Sequence, residues 1–250
     1  MIFTRRGLAL CLVGALIAAF ALPISTADAQ TEQQLGWCRN SGAVFSRDQQ
    51  IAGCTAIIQS RRSSARELLW AFHNRGYAYY RKDAFERAIT DFNEAIRINP
   101  EDADVLNARC WLRTIVGREL RQALDDCNES LRLRANDAPT LDSRGFTCLK
   151  LGQFNNAIAD YDAALALDSR QAESYFGRGV AKLKAGNVAG GSADIAKAKA
   201  IQADIADEFA KYGVRLDGSS ATIQTLSGTT SADCARAVAQ RQGARQALDL

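Results

Sequence analysis

Histidine is nearly absent: the chain of 250 residues holds one, His73. A single imidazole excludes a multi-histidine metal site, and no two cysteines stand at Cys-x-x-Cys spacing, so no metal or other cofactor is expected. Proline is scarce as well, with three residues, which favours long helices over many short strands. Neither sign of charge dominates. Lys and Arg number 31, Asp and Glu 28, and the net charge is +3. Gripping a phosphate backbone needs concentrated positive charge, so nucleic acid is excluded as a partner. No glycine-rich phosphate loop, Ser-centred elbow or isolated pair of carboxylates is present, so the chain reads as no enzyme. What it does have is apolar residues, 47% of the total, enough to build a core.

The one long apolar run is at the start. Arg5 and Arg6 precede an apolar stretch from Gly7 to Leu22, and Ala27-Asp28-Ala29 gives a small-x-small cleavage pattern before Gln30. This predicts a secretory signal peptide over 1–29, and a mature chain exported to a periplasm or beyond with no transmembrane segment.

The rest of the chain repeats itself. The segment from Asn74 to Pro100 aligns with those beginning at Ser143 and Gly177, and more loosely with one beginning at Ala108. Gly76, Gly145 and Gly179 fall in register on a period of 34. Within a unit, Phe72, Gly76 and Tyr79, then Ala88, Phe92 and Ala95, recur at helical spacing. Lys82-Asp83, Leu151-Gly152 and Ala185-Gly186 break the pattern where a turn would stand. Each unit thus predicts two antiparallel helices.

This pattern resembles the tetratricopeptide repeat. The first unit supplies Phe72, Gly76, Tyr79, Ala88, Phe92, Ala95 and Pro100, and the third Leu141, Gly145, Cys148, Ala157, Tyr161 and Ala164. The fourth (Tyr175, Gly179, Lys182, Gly191, Ile195, Ala198) and second (Leu106, Cys110, Arg113, Ala123, Cys127, Ser130) follow it more weakly. The resemblance implies an all-α fold, a right-handed superhelix or solenoid of helix-turn-helix hairpins. The expected units are 69–102, 103–137, 138–171 and 172–205. A degenerate hairpin precedes them over 30–68, with Ser46 and Gln49 placed as a capping box. A capping helix over Asp204–Tyr212 completes 69–213. Beyond it, 214–250 reads as a Ser/Thr/Gly-rich linker and a short basic helix through Arg236, Arg241 and Arg245.

Two further regularities run through the repeats. An Arg precedes the Gly or Cys of every unit (Arg75, Arg109, Arg144, Arg178), and an Asp recurs in every second helix (Asp91, Asp126, Asp160, Asp194). A bidentate clamp inside each hairpin explains a fourfold copy better than a catalytic constellation does. Cys38 and Cys54 stand 16 apart, as Gly76 and Phe92 do, and Cys110 and Cys127 stand 17 apart in the unit with one extra residue. Disulfides Cys38–Cys54 and Cys110–Cys127 are expected in an oxidising compartment, with Cys127–Cys148 as the rival pairing. Cys148 and Cys234 are left to pair together, stay reduced or link chains.

In the family the first helix of each unit lines the inner surface. The matching positions here are His73, Tyr77 and Tyr80; Asn107, Trp111 and Thr114; Asp142, Phe146 and Leu149; Phe176, Val180 and Leu183. They form an apolar, largely aromatic stripe, expected to seat a protein or peptide partner or to pack against the N-terminal hairpin or the tail. The Lys/Asn/Arg set with which some members hold a C-terminal carboxylate is not reproduced. The expected function is a protein-binding scaffold. The alternatives are a structural envelope-associated protein using its tail and a non-catalytic accessory subunit of an enzyme complex.

Overall fold

The computed structural model describes residues 26–216, and within them every regular element is helical. The expected signal peptide lies almost wholly outside these residues, as do the linker and basic helix of 217–250. The elements run α1 Thr26–Arg39, α2 Arg47–Gln59, α3 Ala65–Tyr80, α4 Phe85–Ile98, α5 Ala103–Val116 and α6 Leu120–Leu133. Then come α7 Ala138–Lys150, α8 Phe154–Leu167, α9 Ala172–Lys184, α10 Val188–Ile201 and α11 Ile205–Lys211.

Local chemistry marks the boundaries. Ser46 with Gln49 and Ser64 with Glu67 form reciprocal capping boxes that open α2 and α3. Asp102, Asp137 and Asn187 cap α5, α7 and α10 with side-chain oxygens that accept backbone N–H groups. The turns closing α5, α7 and α9 each use a glycine at positive φ, Gly117, Gly152 and Gly186. After α3 the same left-handed duty falls to Asp83, at φ 56°.

Each odd-numbered helix from α1 to α9 pairs antiparallel with the next, and successive hairpins stack so that α5 also packs on α7, and α7 on α9. The result is an all-α solenoid of helix-turn-helix hairpins, with the first helices of the hairpins on its inner face. The hairpins close tightly because of their small residues. A Cβ on Gly76 would lie 2.8 Å from the Phe92 ring, and one on Gly179 would lie 2.7 Å from Ile195 Cγ1. In α1–α2 and α5–α6 a disulfide occupies that crossing instead. Cys38 is joined to Cys54, with Cα atoms 4.6 Å apart, and Cys110 to Cys127, at 5.5 Å.

The Arg–Asp series is a stitch with three ends. Arg144 Nε and Nη2 donate to Asp160 Oδ2 and Oδ1 at 2.8 and 2.7 Å, and the same fork recurs at Arg75–Asp91, Arg109–Asp126 and Arg178–Asp194. Each guanidinium then turns Nη1 to the preceding hairpin: Arg75 to Thr55, Arg109 to Asn93, Arg144 to Asn128 and Arg178 to Asp162. One side chain therefore closes its own hairpin and fastens it to the previous one.

The last helix departs from expectation. Placed by sequence as a cap at the end of the stack, α11 instead lies along the inner face, with Ile205 and Phe209 buried. Phe209 packs on Phe176 of α9 and Phe146 of α7, with ring centroids 4.6 and 5.3 Å away. Tyr212, just past α11, meets Trp111 of α5 edge-on at 5.7 Å.

Candidate functional site

An aromatic ladder runs along the inner face, and the chain itself covers about half of it. From α9 toward α3 it reads Phe176, Phe146, Trp111, Tyr80 and Tyr77. Equivalent positions on the first helices of successive hairpins set Tyr77, Trp111 and Phe146 in a row, and Tyr80, three residues from Tyr77, shares its helix face. Trp111 stacks beside Phe146 at 5.6 Å, and its Nε1 donates to Tyr80 Oη at 3.3 Å. Tyr80 and Tyr77 lie 5.8 Å apart.

Under α11 the ladder is closed. Phe146 and Phe176 are fully buried, and Val180 and Leu149 are also buried in the same core. The expectation that these four would present themselves to a partner is corrected: the chain's own Phe209, Tyr212 and Val214 pack into that core. Thr114, also expected on the groove, is turned between helices, where its hydroxyl bonds the Cys110 carbonyl and the Thr147 hydroxyl at 2.8 and 2.6 Å. Leu183 points into its own hairpin, against Gly191 of α10. Asp142 takes the Ser174 hydroxyl at 2.5 Å, and burial lifts its carboxyl to about pH 7, with Glu173 adding to the rise and Ser174 opposing it.

A lysine locks α11 down. The Lys150 ammonium donates to the carbonyls of Thr114 and Tyr212 at 2.8 and 2.9 Å, bridging the C-terminal ends of α5 and α11. Burial draws its pKa down to about 8.

Past α11 the face is open. His73, Tyr77, Tyr80, Asn107 and Trp111, all anticipated, line a cavity of about 280 Å³ together with Phe92, Asp104, Ala108, Leu112 and Ser143. Tyr77 is 44% exposed, the most exposed aromatic of the site. Burial holds His73 below the ordinary imidazole range against the pull of Asp102 and Asp104, so it is neutral at pH 7. The Asn107 Oδ1 is buried without a hydrogen-bond partner, an acceptor left for a donor from outside. Arg134 Nη1 and Nη2 donate to Asp104 Oδ1 and Oδ2 at 2.6 and 3.1 Å, which keeps its carboxyl below the usual range. Sequence reasoning missed Asp104 and Ala108, although they share the Trp111 face at helical spacing. It also missed Phe209 and Tyr212, whose three-residue separation was a readable anchor pair. No group of three or more His, Cys, Asp or Glu among the described residues is placed to hold a metal ion. No described helix is long and apolar enough to cross a membrane. What the open cavity can do chemically is bind, through aromatic faces and one amide.

Two stretches match family models, 70–102 that of the tetratricopeptide repeat and 145–186 that of the TPR repeat. No curated protein matches the chain by sequence. Among solved structures, the chain is similar to MamA from Desulfovibrio magneticus RS-1, with a TM-score of 0.59 at 12% identity over 70% of this chain and 96% of that one. It is similar to YrrB, titled a TPR protein with an unusual peptide-binding site, with a TM-score of 0.57 at 18% identity over 76% and 98%. MamA of MSR-1 gives 0.53 at 15% identity over 71% and 98%.

Proposed function

The chain is a tetratricopeptide-repeat protein, and from that premise we propose that it is an exported, non-catalytic scaffold that seats an apolar peptide segment of a partner protein across α3 and α5. The observation that carries this reading is the contrast along one face. Where α11 lies, the aromatic ladder is sealed; over Tyr77, Tyr80 and Trp111 it continues uncovered beside an unpartnered amide oxygen at Asn107. Aromatic anchors beside a polar group that can pair with a peptide unit are what peptide grooves are made of. The paired cysteines support export, since disulfides persist in oxidising compartments, and the leader pattern expected from the sequence is in keeping with it. YrrB, a TPR protein with an unusual peptide-binding site, is consistent with the same use of the fold.

A displayed random-peptide library selected on the protein supplies the probe. Peptides so selected should lose at least about tenfold in affinity on Trp111→Ala and on Tyr77→Ala, since a central aromatic anchor is worth 2 kcal/mol or more. Selected peptides that bind both variants as tightly as the parent protein would remove the groove from consideration.

A further inference from the structure

Resting on the peptide groove proposed for α3 and α5, we infer that the open cavity takes one basic side chain of the otherwise apolar segment, a lysine or arginine, with its stem against Tyr77 and Trp111 and its cationic head at Asn107 and Asp104.

Two rows of side chains build the cavity. On α5, Asp104, Asn107 and Trp111 stand three and then four residues apart, so they share one helix face. On α3, His73, Tyr77 and Tyr80 do the same. The rows are in register. At one end Trp111 Nε1 donates to Tyr80 Oη at 3.3 Å, and at the other the Asp104 charge acts on His73. The cavity is therefore aromatic at one end and polar at the other, with Asp104 at its mouth, its side chain 60% exposed. At about 280 Å³ it is smaller than the roughly 300–1,000 Å³ of pockets for drug-sized ligands, and it has room for one long side chain.

The polar end offers acceptors. They are the Asp104 carboxylate, the Asn107 Oδ1 that no donor among the described residues reaches, and the lone-pair nitrogen of a neutral His73. No lysine or arginine among the described residues lines the cavity. Arg134 lies beside it, but Nη1 and Nη2 are spent on Asp104, whose oxygens each keep a second lone pair. An acidic side chain would meet the carboxylate with no cation to offset it. An aliphatic one would fill the aromatic end and leave Asn107 Oδ1 unpaired. A basic side chain suits both ends: its methylene stem covers apolar surface while its head donates to the amide and the carboxylate. The ring faces of Tyr77 and Trp111 add their attraction for a cation.

Random-peptide libraries with a fixed central lysine, arginine, leucine or glutamate are selected on the full chain. Peptides with a basic centre should be enriched at least about tenfold over those with leucine or glutamate. A selected basic peptide remade with norleucine at that position should bind about tenfold more weakly. On the double variant Asp104→Asn with Asn107→Leu, that difference should shrink to about twofold, while the norleucine peptide binds the variant and the parent protein alike. Equal or greater enrichment with leucine or glutamate overturns the inference. So does a norleucine peptide that binds as well as the basic one, or a norleucine penalty that persists in the double variant. If those peptides still lose affinity on Trp111→Ala, the groove stands and the basic subsite alone falls. If no library is enriched, or the selected peptides ignore Trp111→Ala, both fall.

Discussion

Truncating Phe209 to alanine should release α11 from the inner face while leaving the hairpins folded. An isolated helix of seven residues does not persist in water, where about 12–15 are needed for even marginal stability, so α11 exists only because it is docked. Its docking rests on Ile205, Phe209, Tyr212 and Val214 and on the Lys150 latch. Phe209 is the largest of the fully seated anchors, enclosed by Phe176, Phe146 and Tyr212 with ring centroids between 4.6 and 6.4 Å. Removing a buried phenyl ring costs about 3–5 kcal/mol, from lost transfer energy plus the cavity left behind. A local element with few other anchors cannot absorb that loss, so the segment should open instead of the whole solenoid. Hydrogen exchange read by mass spectrometry should show amides of 205–214 approaching unprotected rates. Dye binding should rise as Phe146 and Phe176 are uncovered. Retained protection over 205–214 in the variant would refute the argument that the aromatic anchor, and not the covalent continuity of the chain, holds α11 in place.

The stitch arginines should rank by burial. Arg144 and Asp160 are 3% and 1% exposed at the side chain, against 16% and 4% for Arg75 and Asp91, so Arg144→Ala should cost about 3–5 kcal/mol and Arg75→Ala clearly less. Equal losses in urea unfolding would show that burial is not what sets their worth. Asp142 predicts the pH profile: its folded carboxyl titrates near 7, above the unfolded value of 3.8, so the folded state holds the proton more tightly. Its contribution is therefore fully present below pH 4 and lost as pH rises to 7. Because the residue is only half-buried, Asp142→Asn should stabilise by about 1–3 kcal/mol at pH 8 and by almost nothing at pH 4. No gain at pH 8 in paired urea titrations would show that burial does not raise this carboxyl.

The parts of the fold that recur were the parts legible in the sequence. Gly76, Gly145 and Gly179, the turn residues and the Arg–Asp spacing all report contacts made once per hairpin, so each copy checks the others. The third end of the stitch was equally periodic, with Asn93, Asn128 and Asp162 each two residues past the clamp aspartate. It passed unnoticed because its chemistry changes between amide and carboxylate. The groove was half legible for the opposite reason. Helical spacing set Tyr77, Trp111, Phe146 and Val180 on one expected face, but what covers part of that face among the described residues is a single segment, α11 and the residues just past it. Periodicity gives the surface a solenoid offers, and it is silent on a segment that folds back along the array.

The disulfides follow from the same accounting of contacts. Gly76 and Gly179 let an aromatic or branched side chain of the second helix press against the first, and Gly145 seats Tyr161 in the same way. In α5–α6 the two places are cysteines, which are too small to fill the crossing by packing, so the covalent bond supplies the cohesion that the ring would have given. A closed loop of about 17 residues contributes roughly 3 kcal/mol in the chain-entropy view. That hairpin stands in the middle of the stack and supplies Asn107 and Trp111 to the open cavity. Because solenoid units are stabilised by their neighbours, weakening a central hairpin weakens the coupling across it more than weakening an end one would. The proposed groove therefore shares a hairpin with the Cys110–Cys127 bond, and reducing that bond should weaken the support under Asn107 and Trp111.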